Sequence, residues 1–184
     1  CRPADCALTP LYDTGVDAPV CCAEYNGLTY ILTQRELLVR DAAGVRRAGV
    51  DAPAVLPTLA DAPGSLPPGV YGVAVSALVA GEESGAVWCG TVRSTGGVRV
   101  TGLAGAHRIY LTTADGDTLY HALDGDGDAH LAFVPAGGPC ATLHMQRLPG
   151  GHLVRGWNGR LYVACGNVLC FSQPLRPHLF DPGG

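Results

Sequence analysis

The sequence predicts an all-β protein, a β-sandwich inserted between two blade-like antiparallel hairpins. Three observations point there: dense Gly and Pro punctuation, a repeated aromatic-Asn-Gly segment, and strict apolar alternation between the repeats. In the 184 residues, Gly occurs 26 times and Pro 14 times. Those breakers cut a chain that is 47% hydrophobic and 15% charged into short apolar runs, which suits many strands joined by turns. The hydrophobic content argues against disorder. No apolar run reaches the ~18 residues needed to span a bilayer, so a soluble protein is expected.

The repeat comes first in the chain. Tyr25-Asn26-Gly27-Leu28-Thr29-Tyr30-Ile31 is echoed by Trp157-Asn158-Gly159-Arg160-Leu161-Tyr162-Val163 at a constant offset of 132 (157 − 25). A second apolar run follows each, Glu36–Val39 and Val168–Phe171. Asn-Gly favours a two-residue hairpin turn because both residues tolerate positive φ. Each copy therefore reads as a two- or three-stranded meander, the unit of a propeller blade. Both copies are expected to share one hairpin geometry and to lie near each other, since a lone hairpin is marginal.

Between the copies, five prolines in residues 51–69 suggest an extended linker. Tyr71, Val73, Val75, Ala77 and Val79 then alternate with smaller residues, the period of a half-buried strand. Runs at 86–92, 98–100, 108–112, 118–122 and 131–134 complete about six strands, with Asp115-Gly116 as a hairpin turn. About six strands fit a small sandwich of the fibronectin type III kind. Tyr71, Val73, Val75, Ile109, Leu111 and Leu119 are expected to face inward. The predicted organisation is hairpins at 1–50, a Pro-rich linker at 51–68, the sandwich at 69–148 and a second hairpin at 149–184.

The segment from Gly64-Ser65-Leu66 to Tyr71, with Gly81-Glu82-Glu83-Ser84-Gly85, resembles the sandwich insertion of bacteriophage virion proteins. Arg108-Ile109-Tyr110 with Asp115-Gly116, Gly159–Ala164 with Gly166–Leu169, Ser172–Leu175 and Leu179-Phe180-Asp181-Pro182 are similar to the same family. Cys22, Cys89 and Cys170 depart from it, standing where apolar or aromatic residues are expected. The resemblance covers most of residues 20–182, and its motifs are structural. It implies a longer parent protein and a non-enzymatic structural component of a phage tail, as in nozzle, plug or tail-tip proteins. It also implies a virion location after assembly in the host bacterial cytoplasm. The expected partners are other tail proteins and further copies of the chain, with transient contact with DNA or the host surface. A receptor- or carbohydrate-binding β module is the alternative.

The net charge of −4 argues against a nucleic-acid-coating surface, which would be basic. No nucleophile elbow, phosphate loop or catalytic carboxylate pair stands out, so neither catalytic residues nor a cofactor is expected. Glu82 and Glu83, adjacent in a Gly-rich turn, read as solvated. Asp124, Asp126 and Asp128 alternate with glycines and form a weak Ca²⁺ candidate. Ala129 follows instead of Gly, however, and no Glu closes the loop, so a bare loop is preferred. Eight cysteines without a Cys-x-x-Cys pair favour buried free thiols over zinc or disulfides. The six histidines lack metal-ligand spacing. Tyr25, Tyr30, Trp157, Tyr162 and Phe171 read as core fillers, with a sugar-stacking platform as the rival reading.

Overall fold

A computed structural model describes residues 10–15 and 17–183. Cys1 and Cys6 lie outside the described residues; the other six are free as expected but not buried, Cys22 being exposed and the other five half-buried on their strands and loops. Among the described residues the protein is all-β with no helix, so no helix there is long and apolar enough to cross a membrane. The chain divides into two compact units: residues 1–48 with 148–177, and residues 49–147 with 178–184.

The first unit begins with an antiparallel meander of β1 (Cys21–Tyr25), β2 (Leu28–Leu32), β3 (Leu37–Asp41) and β4 (Gly44–Arg47). Asn26 and Gly27 turn between β1 and β2 with φ of 50° and 74°. That double positive φ is the requirement of the hairpin turn that Asn-Gly predicts.

The second unit holds β5 (Thr58–Ala62), β6 (Gly69–Val79), β7 (Glu82–Glu83), β8 (Val87–Ser94), β9 (Gly97–Thr101), β10 (Ala106–Thr112), β11 (Leu119–Asp126), β12 (Ala129–Leu131) and β13 (Gln146–Arg147). One sheet runs β11-β10-β6-β7, with β8 also on β6; the other runs β12-β9-β5. Their facing sides make a sandwich-like core. Tyr71, Val73, Val75, Ile109 and Leu111 come from the first sheet, and Val98, Val100, Ala129 and Leu131 from the second. Three details differ from the sequence reading. The stretch read as a linker carries β5, which pairs with β9 from Thr58↔Thr101 to Ala62↔Gly97. Its prolines flank the strand, so no ladder bond is lost. Leu119 joins Ala74, Ala86 and Tyr110 in a separate cluster, away from the sandwich core. The cause is a bulge: Ile109 pairs with Leu123 and Tyr110 with His121, so Ala122 is passed over and the facing of β11 reverses. Finally, the run at 131–134 is strand only through Leu131, and Phe133 and Val134 are exposed.

The chain returns to the first unit with β14 (Leu153–Trp157), β15 (Arg160–Cys165) and β16 (Val168–Gln173), an antiparallel meander. β17 (Arg176–Phe180) straddles the division, and Leu179 and Phe180 pair with β13 in the second unit. The repeat is structural as well as sequential. Adding 132 to β1, β2, β3 and β4 lands on β14, β15, β16 and β17. Asn158 and Gly159 repeat the turn with φ of 46° and 72°.

Val75 is wholly buried in the sandwich-like core. Truncation to Ala should cost about 1–3 kcal/mol in denaturant unfolding, less than Leu truncations because less volume is removed. An unchanged midpoint would place the core elsewhere.

Candidate functional site

The alternating aspartates do not converge. Asp124 accepts two hydrogen bonds from Arg108, at 2.7 Å from Nε and 2.8 Å from Nη2, and its Oδ1 lies 2.9 Å from His121 Nε2. Asp128 is turned to the backbone N–H of Gly102 at 2.7 Å. Asp126 ends β11, opposite Ala106. Gly127, at φ +92°, breaks the row between two sheets, so the segment crosses over instead of wrapping. Among the described residues no three His, Cys, Asp or Glu side chains gather as a metal site.

Glu83 is the polar centre of the second unit, contrary to its reading as solvated. Its carboxylate accepts from Ser76 Oγ at 2.8 Å, Thr142 Oγ1 at 3.1 Å, the Tyr110 hydroxyl and Arg108 Nη1 at 3.0 Å. Four donors from β6, β10 and the 139–145 segment compensate its withdrawal from water. Burial, followed by the hydrogen bond to Glu83, pushes the Tyr110 phenol well above its ordinary range. The Glu83 side chain is only 11% exposed, while Arg108 and Asp124 carry the network out to solvent. The adjacency of Glu82 and Glu83 concealed it: β7 pairs with β6, both acids are half-buried, and Glu83 is the one that meets Arg108.

The remaining polar candidates are isolated. His107 Nδ1–H donates to Gly105 O at 2.8 Å, while its buried Nε2 meets no partner. The ring lines an apolar cleft of about 200 Å³ with Val75, Ala77 and Leu103. Because Nε2 itself is shielded, nothing in the cleft reaches it. Burial pushes the Cys89 thiol up to about 11, away from thiolate chemistry.

The aromatic residues of the repeat divide between core and surface. Tyr30 is 3% exposed, but Trp157 is 67% and Phe171 39% exposed. Strand pairing explains how they meet: Tyr162 stands opposite Arg155 and Phe171, and Trp157 opposite Arg160. Ring centroids are 6.0 Å apart for Trp157–Tyr162 and 6.1 Å for Tyr162–Phe171. The Arg160 guanidinium lies 5.1 Å over Phe171, a cation–π contact. Leu153 and Leu169 flank Ala164 in the next cross-strand row, both more than half exposed. The result is one sheet face bearing three aromatics, two leucines and two arginines. β14–β16 carry no carboxylate. Such a face is chemically equipped to bury apolar surface against a partner and to orient it by charge. Core filling was the wrong expectation for Trp157 and Phe171. The sequence shows that Trp157 alternates with Gly156 and Phe171 with Cys170 and Ser172 but not which side a neighbour covers.

No family model, curated protein or solved structure matches this chain.

Two tests follow from the polar network. Glu83→Ala should destabilise the fold by about 2–4 kcal/mol, because four donors lose a charged acceptor. Glu83→Gln, still an acceptor, should cost less in the same denaturant titration. Second, the Arg108 hydrogen bonds hold the Asp124 carboxyl at about 2, against an ordinary 3.8, with His121 assisting and desolvation opposing. A depressed value adds stability above the ordinary one and loses it as pH falls toward the folded one. Wild-type melting temperature should therefore drop between about pH 4 and pH 2. Asp124→Asn should flatten that part of the drop, modestly, since the carboxylate is 43% exposed and screened.

Proposed function

We propose that this chain is a non-enzymatic structural component of a bacteriophage tail, acting through subunit assembly. The observation that carries the assembly half of this reading is the exposed Trp157–Tyr162–Phe171 face with its flanking leucines. A rigid sheet that presents this much apolar surface is a contact surface waiting for a partner. The phage half rests on the resemblance of the Gly64–Tyr71, Gly81–Gly85 and Gly159–Ala164 segments to virion proteins. In this reading the second unit is a fibronectin type III-like sandwich set between two blade-like hairpins. Its partners are neighbouring tail proteins and further copies of the chain, in the nozzle, hub or tail tip. The virion is its working location.

One observation favours a second reading, a receptor- or carbohydrate-binding module. Exposed Trp157 and Phe171 with Arg160 nearby also suit stacking on sugar rings.

Phage lacking this protein should form particles with absent or shortened tails by electron microscopy, and wild-type virions should contain the chain in fixed stoichiometry. Normal, infectious tails without it would overturn the proposal. A glycan array with the isolated chain separates the two readings, because saturable binding of a defined glycan belongs only to the second.

A further inference from the structure

Equivalent residues of the two meanders keep the same side of their strands, because the offset of 132 is even. One side, the front, carries Tyr25, Tyr30, Leu32, Leu37 and Val39 in the first copy. Its equivalents in the second are Trp157, Tyr162, Ala164, Leu169 and Phe171. Inside the first unit the back of the second meander lies against the front of the first. The Val154 N–H points to Cys21 Sγ at 3.5 Å, and the Tyr25 hydroxyl donates to the Gly159 carbonyl at 2.7 Å. On the first front Tyr30, Leu32, Leu37 and Val39 are each at 3% exposure or less. The second front keeps aromatic residues at equivalent positions, yet leaves Trp157 and Phe171 in water.

Rings and guanidinium groups alternate on this second front. Trp157 stands opposite Arg160, and Tyr162 stands between Arg155 and Phe171. Arg160 is held in place: its guanidinium lies 5.1 Å over the Phe171 ring, and its Nη1 donates to the Ser172 carbonyl at 3.0 Å. The other donors of that planar fork remain for an acceptor. Arg155 is exposed and has no ionic partner among the described residues.

We infer that this face binds a glycan whose sugars carry carboxylates. The inference rests on the carbohydrate-binding reading above and names the class of sugar. A pyranose ring presents a C–H face that stacks on an aromatic ring, and a uronic acid adds a planar carboxylate at its edge. Trp157 and Tyr162 supply the stacking surface. Arg155 and Arg160 supply planar forks, which match a carboxylate with two parallel N–H bonds. A ligand that repeats ring and charge along its length meets a face that does the same. An acidic protein segment is the competing occupant. Protein contacts gather apolar anchors at the centre and send charges to the rim, whereas here each guanidinium sits beside a ring. Extent also separates the two. From Leu153 to Trp157 the face measures roughly 14 Å along the strands, and across β14–β16 roughly 10 Å. That covers a short oligosaccharide. A protein partner, which buries about 800 Å² on each side, would have to reach well beyond it.

The test titrates the full chain by calorimetry with polygalacturonate, alginate and hyaluronate, with neutral dextran, and with polyglutamate, which has the charge without the sugar. Saturable binding of at least one acidic polysaccharide is expected, weakening as salt is added, with dextran and polyglutamate inert. Arg155→Gln should weaken that binding roughly tenfold while leaving the melting temperature unchanged. Trp157→Ala should weaken it comparably. Polyglutamate binding as tightly, with Trp157→Ala having no effect, would overturn the inference in favour of an acidic protein partner. Dextran binding equally well, indifferent to Arg155→Gln, would overturn the carboxylate specificity and leave the carbohydrate reading standing. Binding of none of these polymers would also overturn the inference, and the carbohydrate reading falls with it only if the glycan array is blank too.

Discussion

A small antiparallel sheet has two faces, and it buries only those that another layer covers. That constraint organises both units. In the sandwich-like core, β6 and β10 meet β9 and β12 on one side through Val73, Val75, Ile109 and Leu111. Their other side is covered by the segment that brings in Cys140 and Leu143 against Ala74 and Tyr110. Doubly covered, β6 is buried almost without alternation between Gly69 and Ser76. Singly covered, β14 and β15 alternate cleanly.

Covering a second face has a cost when polar groups lie on it, and the Glu83 cluster offsets that cost. Ser76 is on β6 and Tyr110 on β10, facing the side that the 139–145 segment closes. Each of their hydroxyls would be stranded there without an acceptor, at roughly 1–3 kcal/mol apiece. One carboxylate with two oxygens serves them, Thr142 and Arg108 together. Arg108 in turn binds Asp124, so the charge is shared between a shielded acid and a solvent-facing one. The aspartate that resembled a cation ligand in the sequence is therefore the outer end of an ion-pair chain.

Local features were readable from residue order, whereas those depending on a distant layer were not. Asn26-Gly27 and Asn158-Gly159 announce their turns through backbone sterics alone, and the alternation of residues 71–79 announces a strand. The bulge at Ala122 was hidden because nothing in Leu119–Leu123 forces an unpaired residue; pairing with β10 and β6 selects it. β5 was masked by its flanking prolines, since only the presence of β9 makes Thr58–Ala62 a strand. Glu83 was misread because two adjacent acids in a Gly-rich turn look solvated until β7 pairs and separates their directions. The exposed aromatic face was the least legible feature. Trp157-Asn158-Gly159 and Tyr25-Asn26-Gly27 are nearly the same words, and only the stacking order decides which aromatic is covered.

That last point gives the repeat its direction. Two identical meanders packed front to front would close each other's apolar faces and leave two polar backs, a finished object. Packed front to back, they leave one apolar front and one back, and that back is itself partly closed, since Leu38 on it is 1% exposed. The residues agree with the second state. The first copy has Cys22, Glu24 and Arg40 on its outward back, where the second has Val154, Gly156 and Ser172 inside. The second copy keeps Trp157, Leu169 and Phe171 on its front, exposed to water. Leaving such side chains in water gives up roughly 25 cal/mol for each Å² that a partner could bury. Meanwhile Arg155 and Arg160 keep that face soluble and unsuited to pairing with itself. A surface that is apolar and charged with one sign is suited to a partner of complementary chemistry, not to its own copy face to face.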